Sequence, residues 1–162
     1  MQKKVHLAFG VFCALAILYI IDRQPPMSQA LLLTAAAYIA AALPDWDLII
    51  PFMKHRGISH SLLALVVVFI VAIGASLYFS SIPLIRWFMM GFPIGYLSHL
   101  IADSLTDHRV AWLQPFDDTA FGFRVFNTSN GMIQSILTFL LWSANGVVFY
   151  LLLGVGQYPF KL

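Results

Sequence analysis

The chain has 162 residues and a net charge of only +2, and 60% of it is hydrophobic against 10% charged. Soluble domains carry about 25% charged residues, so a chain of mean hydropathy +0.85 cannot cover its surface in water and reads as an integral membrane protein. The low charge, with no basic patch, excludes nucleic acid as a partner, and the lone Cys13 excludes an internal disulfide.

Crossing the hydrocarbon core takes about 20 apolar residues in a helix, with a usual range near 17–25. The first candidate span is 5–21, behind Lys3 and Lys4. It ends at Asp22-Arg23 with no small-x-small cleavage site, which predicts a retained span rather than a cleaved leader. The second, 28–43, lies between Pro25-Pro26 and Pro44; the third, 59–79, is the cleanest apolar run. The fourth covers 84–102, with Pro93 predicting a kink, and the fifth covers 132–153. Between these last two, 103–131 reads as loop, with DTAFGFRVF (118–126) as a short interfacial hairpin. The expected fold is an all-α integral membrane protein. It is a single membrane-embedded domain over 1–162, with about five transmembrane helices and a polar site at one membrane face.

Alternating helix directions put the unusual residues at one end of that bundle. His6 starts the first span, Asp45 and Asp47 follow the second, and His55 and His60 precede the third. His99 and Asp103 end the fourth, while Asn127, Asn130 and Gln134 open the fifth. Counting Lys and Arg gives Lys3, Lys4, Lys54, Arg56, Arg109 and Arg124 on that side against Arg23, Arg86 and Lys161. The excess predicts that the site and the N-terminus are cytoplasmic.

Taken singly, most of these residues have ordinary readings. His6 can sit among headgroups, Asp45 can cap a turn after Pro44, and Lys54-His55-Arg56 can anchor topology. His108 reads as a bystander in the loop, and Asn127-Thr128-Ser129 matches a glycosylation sequon by pattern only. His99 is harder to explain away, because ionisable side chains within apolar helices are rare and usually functional. Asp103 follows it by four residues and shares its helix face. His55 and His60 bracket a turn containing Gly57, which lets both rings aim at one centre. Histidine nitrogen with carboxylate oxygen suits zinc, and also manganese or iron(II). Seven candidate ligands, His6, Asp45, Asp47, His55, His60, His99 and Asp103, allow one to two ions. Paired ions suit phosphoester hydrolysis. Arg56 would hold a phosphate oxygen, and Asp47 or Asp103 would serve in proton transfer. A serine nucleophile beside His60 is disfavoured, since sequence neighbours seldom have the needed geometry. An ion pathway is also disfavoured, because the ionisable groups stop at one face.

The words LPDWD (43–47), HRGISHSLLAL (55–65), GYLSHLIADSLTD (95–107) and WLQPF (112–116) resemble the YdjM-like family of inner-membrane proteins, described as metal-dependent hydrolases. The resemblance covers roughly residues 1–137 and falls on His6, Asp45, Asp47, His55, His60, His99 and Asp103. It implies a bacterial inner-membrane, multi-pass protein. This chain departs from the pattern in carrying Gln134 where family members often have Glu, and in a short loop of about seven residues between the LPDWD and HRGISHS words. A more distant similarity links its His-x-x-x-Asp element to zinc-dependent phospholipases C and single-strand nucleases. The expectation is a membrane-bound hydrolase of a small or lipid-linked phosphoester, with membrane lipid as its surroundings. The alternative is a non-catalytic protein whose cluster serves binding or assembly.

Overall fold

The structure is a computed structural model and describes residues 3–49, 56–107 and 109–154. Among these residues there are five α-helices: α1 Lys3–Ile21, α2 Met27–Ala40, α3 Leu62–Tyr78, α4 Pro83–Ser104 and α5 Gly131–Leu152. Two 3-10 turns, Pro44–Leu48 and Ile58–His60, lie between α2 and α3. Extended pairing is limited to isolated bridges. The all-helical, membrane class read from composition is thus what the chain forms.

Three segments are long and apolar enough to cross a bilayer: Lys3–Ile21, Met27–Leu48 and Gly131–Leu152. α3 is apolar throughout but has 17 residues. α4 has the length, at 22 residues, but carries the polar side chains of the site. The third helix starts three residues later than its apolar run suggests. Residues 58–60 form the 3-10 turn instead, and Ser61 caps α3 by accepting the Ala64 N–H through its hydroxyl at 3.2 Å. The second helix stops at Ala40, and Pro44, needing no N–H donor, opens the 3-10 turn. α4 continues through Pro93 as one helix.

α4 is the central element: it packs against α1, α2 and α3, while α5 packs on α1. Its closest neighbour is α2, and two glycines make that approach possible. A Cβ on Gly91 would lie 2.3 Å from the Leu33 carbonyl oxygen, and one on Gly95 would lie 2.1 Å from that of Ala37. Both obstacles are backbone atoms. Opposite them α2 presents the buried Leu33, Ala36, Ala37 and Ala40. Small residues four apart are a common way to bring membrane helices into contact, since lipid offers no hydrophobic driving force between them. Gly10 of α1 meets the same seam, where an added Cβ would come within 2.8 Å of the Ala41 side chain. Further along, Ala14, Leu15, Leu18, Ala30, Leu33, Ala37 and Leu152 form the apolar core. Asn145 of α5 is buried and donates its side-chain N–H to the Ala8 carbonyl at 3.0 Å, tying α5 to α1.

α3 contrasts with this interior. Ala72 is its one buried residue among those described, while Val67, Ile70, Val71, Leu77 and Tyr78 are more than half exposed. In water such a surface would be an aggregation site; against acyl chains it is the expected outer face.

The segment after α4 forms no hairpin of its own over 118–126. It pairs instead with the end of α4. Phe123 and Val125 donate their N–H groups to the Ser104 and Leu105 carbonyls at 2.7 and 2.8 Å, and Val110 and Phe121 exchange both backbone bonds. The Leu62 N–H, at the start of α3, goes to the Trp112 carbonyl at 2.8 Å. Helix ends leave backbone groups unsatisfied, and this segment satisfies several of them beside the site.

Candidate metal centre

α4 carries Gly91, Gly95, His99 and Asp103 at a constant spacing of four, so all four lie along one face of the helix. The two glycines seat that face on α2. The next turn then brings His99 Nδ1 within 2.7 Å of the Ala41 carbonyl oxygen, where α2 has ended. A carbonyl can only accept, so Nδ1 carries the proton and donates. In the neutral ring Nε2 therefore presents a lone pair.

Opposite it stands His60. Its Nδ1 lies 3.0 Å from Ser59 Oγ and 3.4 Å from Asp47 Oδ2. The Ser59 hydroxyl has one proton, and Asp47 Oδ2 takes it at 2.6 Å. Ser59 Oγ is then an acceptor for His60 Nδ1–H, and the His60 Nε2 also presents a lone pair. The two Nε2 atoms face each other at 3.2 Å. Asp45 Oδ1 is 3.6 Å from both, and Asp103 Oδ2 is 3.6 Å from His60 Nε2 and 3.7 Å from His99 Nε2.

Two nitrogen lone pairs and two carboxylate oxygens thus converge on one small volume. Zinc–ligand bonds of about 2.0–2.1 Å put tetrahedral neighbours about 3.3–3.4 Å apart, and the donor set falls close to that. His60, His99 and Asp103 form one triad able to hold an ion, and His6, Asp45 and His99 form an overlapping one. The charge count agrees. Among the described residues of the cluster, the three carboxylates of Asp45, Asp47 and Asp103 stand against the single guanidinium of Arg56. His60, His99 and Asp103 are at most 1% exposed and Asp47 3%, a depth at which uncompensated carboxylates are costly.

Other residues frame the cluster. The His6 ring stacks on His99 with centroids 3.9 Å apart, and its Nε2 is 3.3 Å from Asp103 Oδ1. Its buried Nδ1 has no hydrogen-bond partner among the described residues. Arg56 brings Nη2 within 3.4 Å of Asp103 Oδ2, and its N–H donates to Asp47 Oδ2 at 3.0 Å. Its φ of 62° is left-handed, a conformation costly for any residue but glycine and commonest at functional sites. A cavity of about 330 Å³ opens beside the cluster, lined by His6, Asp45, Trp46, Arg56 and Asp103 together with Lys3.

The structure therefore gathers His6, Asp45, Asp47, Arg56, His60, His99 and Asp103 at one end of the bundle. His55 and His108 lie outside the described residues. Asp47 does not face the Nε2 pair; it stands behind His60, bonded to Ser59 and the Arg56 backbone. Gln134 is fully buried on α5, and Asn130 caps that helix by accepting the Met132 and Ile133 N–H groups, both at 3.1 Å. Sequence reasoning weighed Ser59 only as a disfavoured nucleophile and not as the link from Asp47 to His60, and it missed Tyr96, whose hydroxyl donates to the Ser59 carbonyl and pins the His60 turn to α4. It also missed Gly91 and Gly95. The fourfold spacing Gly-x-x-x-Gly-x-x-x-His-x-x-x-Asp was the signal that could have revealed them.

Comparison with known proteins gives one result. A family model described as YdjM inner membrane protein matches residues 1–160. No curated protein and no solved structure matches the chain.

Proposed function

The chain belongs to the YdjM inner membrane protein family, and from that premise we propose that it is a membrane-bound metal-dependent hydrolase. Its substrate is a phosphoester of a lipid or lipid-linked molecule, and it works at the cytoplasmic face of a bacterial inner membrane. The observation that carries this reading is the pair of Nε2 lone pairs 3.2 Å apart, flanked by Asp45 and Asp103. Lone pairs that close repel unless a cation lies between them. The mixed nitrogen and oxygen donors favour zinc, with manganese or iron(II) as further fits, and the two overlapping triads allow one ion or two.

When bound, such an ion would supply a Lewis acid and a water acidified from a pKa of about 15.7 towards 7. The chain's own residues do the rest. His60, His99 and Asp103 would hold the ion in the first triad, and His6, stacked on His99, would join Asp45 and His99 in holding one in the second. With the first triad alone occupied, Asp45, with a side chain 22% exposed and facing the cavity, would be free to accept a proton from a water there. Arg56 and Lys3 receive the phosphate oxygens. Trp46, Leu48 and Ile49, 51–78% exposed at the cavity mouth, suit the apolar part of an amphiphile. The cytoplasmic placement draws on charge: Lys3, Lys4, Arg56, Arg109 and Arg124 lie on the site's side among the described residues, against Arg23 and Arg86.

The test is hydrolysis. Purified protein, freed of metal and reloaded with zinc, is expected to release phosphate or headgroup from a panel of phospholipid and lipid-phosphate vesicles. A chelator should stop the reaction and Arg56→Lys should slow it. Loaded protein inert across the panel would overturn the reading. It would leave the same cluster as a clamp on the ends of α1 and α4 serving binding or assembly, a role that Gln134, which cannot act as a base, would suit.

Asp47 is proposed as a positioning residue. Through Ser59 it fixes the His60 ring so that Nε2 points at the centre. Residues behind a metal ligand are worth about 10–100-fold in affinity. Asp47→Asn is therefore expected to weaken zinc binding by that factor, measured by competition with a chelating dye, while the melting temperature of the metal-free protein stays near the parent's. Unchanged affinity would remove Asp47 from this role.

A further inference from the structure

Along α4, a groove of about 640 Å³ enclosed by α1, α3 and α4 shares no lining residue with the cluster, and its volume is within the range of about 300–1,000 Å³ usual for small-molecule sites. Its lining on α4 runs from Arg86 to Ile101, fifteen residues on, or about 22 Å of helix. One leaflet of the hydrocarbon core is about 15 Å deep, so the groove is long enough for an extended acyl chain. Leu65, Phe69 and Ala72 of α3 face Ile94 and Leu97 of α4 across it.

Its two hydroxyls make no polar demand. Ser76 Oγ donates to the Ala72 carbonyl and Ser98 Oγ to the Gly95 carbonyl, each at 2.7 Å within its own helix. Apart from Arg86 and the weakly polar thiol of Cys13, the walls therefore offer hydrocarbon contact. At membrane depth water cannot fill such a space, and an acyl chain can. The single charge on the lining is Arg86, in the first turn of α4, and no carboxylate lines the groove. Arg86 is exposed, and it precedes Asp103 by seventeen residues, about 25 Å along the helix. The groove thus has a cationic end at the membrane face away from the metal centre.

We propose that this groove is a binding site for an anionic phospholipid of the leaflet opposite the metal centre, with its phosphate on Arg86 and one acyl chain between α1, α3 and α4. A guanidinium pairs bidentately with a phosphate, and with no carboxylate on the lining nothing there pairs with the ammonium of a zwitterionic headgroup. The proposal stands apart from the hydrolase reading, because neither Arg86 nor the groove touches the cluster.

The full chain, purified and stripped of lipid, is titrated with phosphatidylglycerol and with phosphatidylcholine, and retained lipid is counted by native mass spectrometry. The parent is expected to retain phosphatidylglycerol preferentially. Arg86→Gln should lower that retention about tenfold, the scale of one charged contact, to the level of phosphatidylcholine. Ser76→Phe, which fills the groove, should abolish retention of both lipids. Leu97→Trp replaces it if the melting temperature shows that the first variant fails to fold. Equal retention of the two lipids by the parent, phosphatidylglycerol retention unaffected by Arg86→Gln, or retention surviving a filled groove would each overturn the proposal. So would a lipid-free dimer that the groove-filling variant dissociates, since the occupant would then be a second copy of the chain.

Discussion

Replacing His99 by alanine is expected to strip the protein of its metal. Purified without chelators, the parent should carry one to two equivalents of zinc, manganese or iron by elemental analysis, the number allowed by the two overlapping triads. His99 belongs to both triads, so its loss opens both. The change also removes the ring on which His6 stacks and the donor to the Ala41 carbonyl. Outer residues are worth about 10–100-fold in affinity, and a shared inner ligand should exceed that, leaving substoichiometric metal. His60→Ala should do the same at the triad it serves. A thermal melt separates loss of metal from loss of fold. A ligand that binds only the folded state raises its stability by mass action, so a chelator should lower the parent's melting temperature and leave that of His99→Ala unmoved. A parent that holds no metal after reloading, with a melt indifferent to chelator, would sink the metallohydrolase.

The second large effect lies two turns or less from the ligands. Gly95→Ala is expected to destabilise the protein more than an ordinary overpacking, which costs about 1–3 kcal/mol. The new methyl would sit 2.1 Å from the Ala37 carbonyl oxygen and 2.8 Å from two further backbone atoms, so no side chain can turn away. α2 and α4 must separate. Because His99 follows Gly95 by one turn, the separation also draws His99 Nδ1 off Ala41 and loosens the Nε2 pair. The variant should therefore lose melting temperature and metal together. Gly74→Ala on α3 is the control, since nothing lies within 4 Å of the added atom. It should be neutral or gain up to about 1 kcal/mol from helix propensity. A Gly95→Ala protein as stable as that control would mean that the α2–α4 seam is not as close as described.

How far the sequence disclosed this arrangement depended on the period of each element. His99 and Asp103 were legible because α4 is a regular helix and four residues make one turn. Asp45 and Asp47 were not separable by the same means. Read as an irregular segment, Asp-Trp-Asp offers two equivalent carboxylates. In a 3-10 turn of about three residues per turn, however, positions two apart point about 120° away from each other. One carboxylate then faces the ring nitrogens and the other goes behind His60. Nothing in the local sequence announces a 3-10 turn rather than an extended link. The role of Ser59 was hidden for a related reason: it lies in joining Asp47 to His60, which becomes visible only once both neighbours are placed. Within the loop after α4, 118–126 reads as a short interfacial hairpin. Its strands found better partners in the unsatisfied carbonyls at the end of α4.

The order of the ligands along the chain carries a consequence for biogenesis. A nascent chain is delivered N-terminus first. His6, the Asp45–Asp47 turn and the His60 turn are all in place at the membrane before His99 and Asp103 are synthesised. Until then Asp45 has His60 but neither its second histidine partner, on α4, nor the seam that holds it. The arrival of α4, sliding along α2 on its two glycines, is the event that completes the centre, and α5 is made afterwards. His6, Asp45 and His60 thus wait on His99 and Asp103, and docking of a single helix completes the set.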